Sequence, residues 1–315
     1  MKLQKKDYSA WWYLLPATLV LLIFHILPVI YSFLLSVHRG TLKHPIQHFI
    51  GAQNYLDLLE DSGFWDAMVN TVFFALGSVP LGMFFALLVA LLLNQKIKGL
   101  GVYRTVYYLP VITSIAAVAL VWNWLFDVKF GLFNQLLKSF GMSPSQWLLE
   151  PRGIFESMAQ ALGFSLPDLL HGPSVALCSI IVMSIWKGLG YNVVIFLAGL
   201  QNIPASLYEA ADLDGASVWQ KFRHITWPLL SPTTFFIFIM STIHSFQVFV
   251  QIFMMTPFGG PERSTVVAVF YLYEKAFKTF EFGYASALAY VVFLIIFILT
   301  LIQRRFVGER VHYGG

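Results

Sequence analysis

Six stretches of this chain are long and apolar enough to cross a hydrocarbon core: residues 11–37, 71–93, 106–126, 174–200, 233–255 and 283–302. A crossing helix needs about 20 such residues. Charged residues make up 11% of the chain, against about 25% in soluble proteins. Backbone groups surrounded by lipid must bond to one another, which leaves helices as the economical solution for separate apolar runs. The sequence therefore predicts an all-α integral membrane protein with six transmembrane helices. The first stretch follows Lys2, Lys5 and Lys6 but is much longer than a signal-peptide apolar core of about 7–15 residues. It reads as a retained span. The single cysteine, Cys178, lies inside an apolar stretch, so the chain has no internal disulfide.

Orientation follows from the basic residues. With the N-terminus inside, the inner segments hold Lys2, Lys5, Lys6, Lys96, Lys98, Arg104, Lys221, Arg223, Arg304, Arg305 and Arg310. The outer ones hold Arg39, Lys43, Lys129, Lys138, Arg152, Arg263, Lys275 and Lys278. The inner segments are much shorter, so positive charge is denser there, and both termini are expected to be cytoplasmic. The expected organisation is a cytoplasmic N-terminus (1–10), one membrane domain (11–305) containing a cytoplasmic loop (201–232), and a cytoplasmic tail (306–315).

Chemistry-bearing motifs are scarce. The sequence holds no GxxxxGK[ST] phosphate loop, so no nucleotide or catalytic site is expected within it. His44 and His48 are four apart, but Pro45 between them argues against a helix that would aim both at a metal. No catalytic residue, metal site, resident cofactor or nucleic-acid contact is expected.

The loop before the fifth span is polar and well punctuated. Ser206-Leu-Tyr-Glu209 and Ser217-Val-Trp-Gln220 each match a capping box, and Gly215 is placed to end the first helix. The spacing predicts two short helices joined at Asp214-Gly215-Ala216, with Pro228 and Pro232 announcing the next span. The small residues Ala210, Ala211, Gly215 and Ala216 permit close approach of another surface. From the residues alone, the pair reads equally as an interfacial cap on the bundle and as a docking site for a cytoplasmic partner.

Two polar faces flank this loop. Lys187 is the one Lys or Arg within the six spans, and all sixteen acidic residues lie outside them. Its ammonium is expected to face a watery cavity, a second subunit or the carbonyls of a broken helix. A purely structural lysine is the alternative. Ser184, Lys187 and Tyr191 share a helical face. In the fifth span Ser241, His244, Ser245, Val248 and Gln251 form a second seam, either a solute path or helix–helix hydrogen bonding.

Glu209-Ala210-Ala211-x-x-Asp214-Gly215-Ala216, followed by Phe222, Ile225 and Pro228, closely resembles the EAA loop of ABC-importer permeases. These are the membrane subunits of binding-protein-dependent uptake systems. "FIGAQNYLDLL" (49–59), "YRTVYYLPVITSIAAVALVWNWLF" (103–126), "IWKGLGYNVVIFLAGLQNIPASLYEAA" (185–211) and "GGP" (259–261) resemble the carbohydrate branch, the maltose and glycerol-phosphate type. One departure is Trp227, where that branch usually has Leu. The resemblance implies a type I ABC-importer (MetI/MalF-like) fold in the cytoplasmic, or inner, membrane of a bacterium or archaeon. It implies EAA coupling helices that dock onto a cytoplasmic ATPase dimer, which would use the ATP and magnesium. A second homologous permease and an extracytoplasmic sugar-binding protein are the other implied partners.

Counted from the EAA anchor, Ser184, Lys187, Gly188, Tyr191, Ser241, His244, Ser245 and Val248 fall where maltose-type permeases contact sugar. Gly188, Tyr191 and Ser241 match in residue type. His244, Ser245 and Val248 replace aromatic and amide side chains, so the resemblance implies a sugar or related polyol without naming maltose. A sugar phosphate or other small polar solute stays open because Lys187 suits an anion. A secondary transporter is disfavoured, since it would usually need intramembrane carboxylates.

Overall fold

Where a proline enters an apolar helix, the backbone must lose a hydrogen bond and relieve a clash with the carbonyl four residues back. The computed structural model, which describes residues 9–40, 44–95, 99–161, 163, 172–306 and 308, answers this twice in the same way. A wide π-helical turn at Leu22–Ile26 precedes Pro28, and another at Phe222–Thr226 precedes Pro228. In each, the residue just before the proline donates five residues back, Leu27 to Leu22 and Trp227 to Phe222. The helix thus widens by one residue instead of breaking. Lys2, Lys5, Lys6, Lys43, Lys96, Lys98 and Arg310 of the orientation argument, and most of segments 1–10 and 306–315, lie outside the described residues.

Among the described residues, four helices are long and apolar enough to cross a membrane. They are α1 (Trp11–Ser36), α3 (Ser62–Leu93), α8 (Val175–Gln201) and α14 (Phe282–Phe306). The predicted third span is not one continuous helix. It consists of α4 (Leu100–Ile112) and α5 (Ile115–Leu125), bent by 100° at Thr113–Ser114. Both break residues have extended backbone, with ψ of 142° and 132°, and Pro110 lies just ahead. The predicted fifth span is also interrupted. A helix α10 (Val218–Leu229) meets α11 (Ser231–Phe246) at 62°, and Phe249 (φ −145°, ψ −58°) then separates α11 from α12 (Val250–Met255). Pattern alone reads residues 106–126 and 233–255 as single runs because apolar residues lie on both sides of the breaks at 113–114 and 247–249, whereas the α10–α11 bend falls ahead of the predicted fifth span.

By contacts the chain divides into two compact units, residues 1–62 with 272–293 and residues 63–271 with 294–315. In the first, a short antiparallel pair, β1 (His38–Arg39) and β2 (His48–Phe49), follows α1 and precedes α2 (Gln53–Glu60). The buried Asn54 amide donates to the carbonyls of Ser36 (2.8 Å) and His38 (3.2 Å). Gly283 lies so close that a Cβ there would sit 2.3 Å from the His38 oxygen. Along α1 and α14, the Tyr290 hydroxyl donates to the Val29 carbonyl (2.6 Å) and its ring meets Phe33 edge-on.

The second unit packs α3, α4, α8 and α11 around Ala86, Ala90, Val193, Phe196, Leu230 and Ile237, all at most 1% exposed. Small residues set the spacing. Ala86 and Ala90 are one turn apart on α3, and Gly190 on α8 brings that helix against α4. A Cβ at Gly190 would lie 2.3 Å from the Tyr107 carbonyl oxygen and 2.7 Å from Val111 Cγ2. The opposite helix faces carry exposed apolar side chains such as Leu76 and Val106, which suits contact with lipid.

Gly190→Leu is therefore expected to force α4 from α8 at a cost of about 1–3 kcal/mol. This would be read as a lower melting temperature of the detergent-purified protein. Gly188→Ala, whose Cβ would meet nothing within 4 Å, is expected to leave melting unchanged or slightly raised.

Candidate functional site

All eight side-chain positions expected on a solute path border one cavity of about 220 Å³ in the second unit. From α8 come Ser184, Lys187, Gly188 and Tyr191, and from α11 come Ser241, His244 and Ser245. Val248 and Gln251 join them from the break and α12. The helical periodicity used to link Val248 and Gln251 to the seam is interrupted at Gln247–Phe249, yet both residues still reach the cavity. Phe74, Ser78 and Gly82, one turn apart on α3, supply a third wall.

Hydrogen bonding separates these residues into two groups. Ser245 Oγ donates to the Thr242 carbonyl (2.8 Å) and Ser78 Oγ to that of Phe74 (2.6 Å), the usual way a hydroxyl is satisfied inside an apolar helix. Ser184, Tyr191, Asn192, Ser241, His244 and Gln251 make no side-chain hydrogen bond among the described residues, and the Ser184 hydroxyl is buried as well. Asn192 was not anticipated. It continues the row Ser184, Gly188, Asn192 at intervals of four, a spacing that an i, i+3, i+7 reading passes over.

Lys187 borders the cavity, but its ammonium bonds elsewhere. Nζ donates to the carbonyls of Pro110 (2.5 Å), Val111 (3.1 Å) and Thr113 (2.9 Å). These carbonyls belong to the end of α4, where a helix leaves acceptors without intrahelical partners. The cation sits at the negative end of the α4 dipole. Of the environments expected for Lys187, the carbonyls of a broken helix are the one its ammonium bonds to, while the side chain also borders the cavity.

Between α8 and α11 the chain forms a helical hairpin, α9 (Ala205–Leu213) and α10. The first expected capping box is absent. Pro204 occupies the N-cap, so the helix starts ahead of Ser206, whose backbone is already helical and whose hydroxyl makes no cap bond. Glu209 is left exposed with no side-chain partner among the described residues. The second box is present: Ser217 Oγ accepts from the Gln220 N–H (3.3 Å) and Gln220 Oε1 from the Ser217 N–H (2.7 Å). Between the arms, Gly215 adopts φ +71°. The N–H groups of Gly215 and Ala216 then donate to the carbonyls of Asp212 (3.1 Å) and Ala211 (2.9 Å), the paired bonds of a Schellman turn.

Two further bonds tie the arms together, Tyr208 to Thr226 through their hydroxyls (2.9 Å) and Lys221 to Asp212. Ala210 and Asp214 are exposed, Ala211 and Ala216 half-buried, and Pro228 half-buried beyond the π turn. The tip carries Leu213, 91% exposed, Val218, 82% exposed, and Trp219 stacked on Phe222.

Residues 62–310 match the family described as the binding-protein-dependent transport system inner membrane component. The lactose transport system permease protein LacF of Rhizobium radiobacter is 32% identical over 309 residues, covering 96% of this chain and 95% of that protein. The trehalose/maltose transport system permease protein MalF of Thermococcus litoralis is 33% identical over 289 residues, covering 92% and 90% respectively. A chain in the crystal structure of a bacterial ABC transporter that imports the acidic polysaccharide alginate shares the fold, with a TM-score of 0.76 and 24% identity over 95% of this chain and 96% of that one. By its family match over most of its length, the chain belongs to the inner membrane components of binding-protein-dependent transport systems.

Proposed function

We propose that the chain is a permease subunit of an ATP-driven ABC importer and forms part of the translocation path for a sugar or related polyol. The names of the lactose and trehalose/maltose relatives support the solute class. In this reading the chain crosses the membrane six times, through α1, α3, the bent pair α4–α5, α8, α11 and α14. Both termini and the α9–α10 hairpin are cytoplasmic.

The observation that carries the proposal is the position of the hairpin in the chain. It is inserted between α8 and α11, the two helices that supply most of the cavity's unsatisfied polar groups. A rigid element clamped by a Schellman turn, a capping box and the Asp212–Lys221 pair transmits displacement to both cavity walls. The exposed Glu209, Ala210 and Asp214, with Ala211, Gly215 and Ala216, form the surface that docks on a cytoplasmic ATPase dimer. Pro228 anchors the far arm. ATP and magnesium belong to that partner. ATP binding draws the ATPases together and opens the cavity outward to a solute released by an extracytoplasmic binding protein, and hydrolysis resets it.

The cavity volume falls below the roughly 300–1,000 Å³ of typical ligand pockets. A second homologous permease supplies the remaining wall, with Ser184, Gly188, Tyr191, Ser241, His244, Ser245 and Val248 lining this half. Among the described residues no carboxylate lines the cavity, which disfavours ion-coupled secondary transport.

Glu209→Lys reverses a charge that has no side-chain partner among the described residues, and Gly215→Pro demands a φ near −65° where the turn uses +71°. Both variants are expected to insert normally and to lose at least tenfold in solute-stimulated ATPase activity of the assembled complex. Wild-type activity in both would refute the docking assignment. Asn192→Leu removes one free amide from the path. Loss of a net hydrogen bond of about 1–1.5 kcal/mol is expected to raise the half-saturating solute concentration about tenfold, measured by uptake of labelled sugar.

A further inference from the structure

We infer that the cavity passes an uncharged, polyhydroxylated solute, and that Lys187 is a positioning residue for the α4–α5 bend rather than an anion receptor. The inference rests on the permease reading and narrows its solute class. An ammonium has three protons, and Lys187 directs all three at backbone carbonyls, those of Pro110, Val111 and Thr113. Turning that group towards a phosphate or carboxylate would strip three backbone acceptors of the donor they now share. Among the described residues, no arginine and no second lysine borders the cavity. The lysine cation beside it is therefore already committed to the fold.

The groups that remain free match a different ligand. Ser184, Tyr191, Asn192, Ser241, His244 and Gln251 offer hydroxyls, amides and an imidazole, each able both to donate and to accept. A sugar hydroxyl also does both, whereas an anionic oxygen only accepts and favours charged donors. Away from the cavity, hydroxyls of Ser179, Thr234 and Thr242 bond to carbonyls of their own helices. Among the described residues six side chains without hydrogen bonds gather at this one cavity, while Ser264 Oγ and Gln303 Oε1 are left unpaired elsewhere.

The test uses the complete complex in a Cys178→Ser background carrying Ser241→Cys. Labelling of the new thiol by a small maleimide is followed during ATP turnover. Trehalose and lactose serve as neutral probes, and sn-glycerol 3-phosphate and an alginate disaccharide as anionic ones. A neutral probe is expected to slow labelling at least fivefold, with no protection by the anions. Lys187→Met, tested with native Ser241, is expected to lower the maximal uptake rate of a transported sugar at least tenfold with half-saturation unchanged within twofold, and Lys187→Arg to restore most of the rate. Protection by an anionic probe that Lys187→Met abolishes would overturn the inference and leave the permease reading standing. Uptake that persists without the ATPase subunit would instead overturn the permease reading.

Discussion

The ammonium of Lys187 on the three carbonyls of the α4–α5 bend is the interaction on which the second unit depends. A bend of 100° exposes acceptors that a continuous helix would satisfy. In an apolar surrounding each such group carries a penalty of several kcal/mol, in order of magnitude. One side chain from α8 removes it for three groups at once. The same bond ties α8 to α4 beside Gly190, where the two backbones already approach closely. The bend, the close packing of α8 on α4 and the placing of the cavity wall are thus coupled features.

The hairpin obeys the same accounting of backbone groups by different means. Exposed helix ends can be closed by local side chains and a left-handed residue. Gly215, Ser217 and Gln220 close them here, so the hairpin keeps its shape without being buried. Its tip and Glu209 are exposed, and Glu209 has no side-chain partner among the described residues. Proline handling is also shared: Pro28 and Pro228 are both preceded by a widened turn, which lets the chain continue where a narrower turn would kink.

Much of this was legible in one dimension. The apolar runs mark the long helices to within a few residues at most ends, except that α3 begins at Ser62, ahead of its apolar run. Ser217 and Gln220 announced their capping box, and Gly215 its turn, because these are contacts between residues near in sequence. Ser184, Tyr191, Ser241 and His244 could be placed on common faces from helical spacing. The failures are equally specific. The Ser206–Glu209 box did not form because Pro204 starts the helix early. The bend at Thr113–Ser114 left no hydropathy signal, since the residues on both sides are apolar. Asn192 escaped because the row of fours was not followed past Gly188.

The sequence by itself determined that this chain is a helical membrane protein of the binding-protein-dependent transport family, with a structured polar hairpin between two of its spans. Hydropathy, charge placement and short-range capping are local properties and can be read along the chain. Only the tertiary structure decided what Lys187 does, because its three acceptors lie 74 to 77 residues away and exist as free acceptors only once α4 has ended. It also decided that six polar side chains without hydrogen bonds among the described residues meet at one cavity. Hydrogen-bond satisfaction depends on which helices meet, and nothing in the spacing of residues along one helix states that.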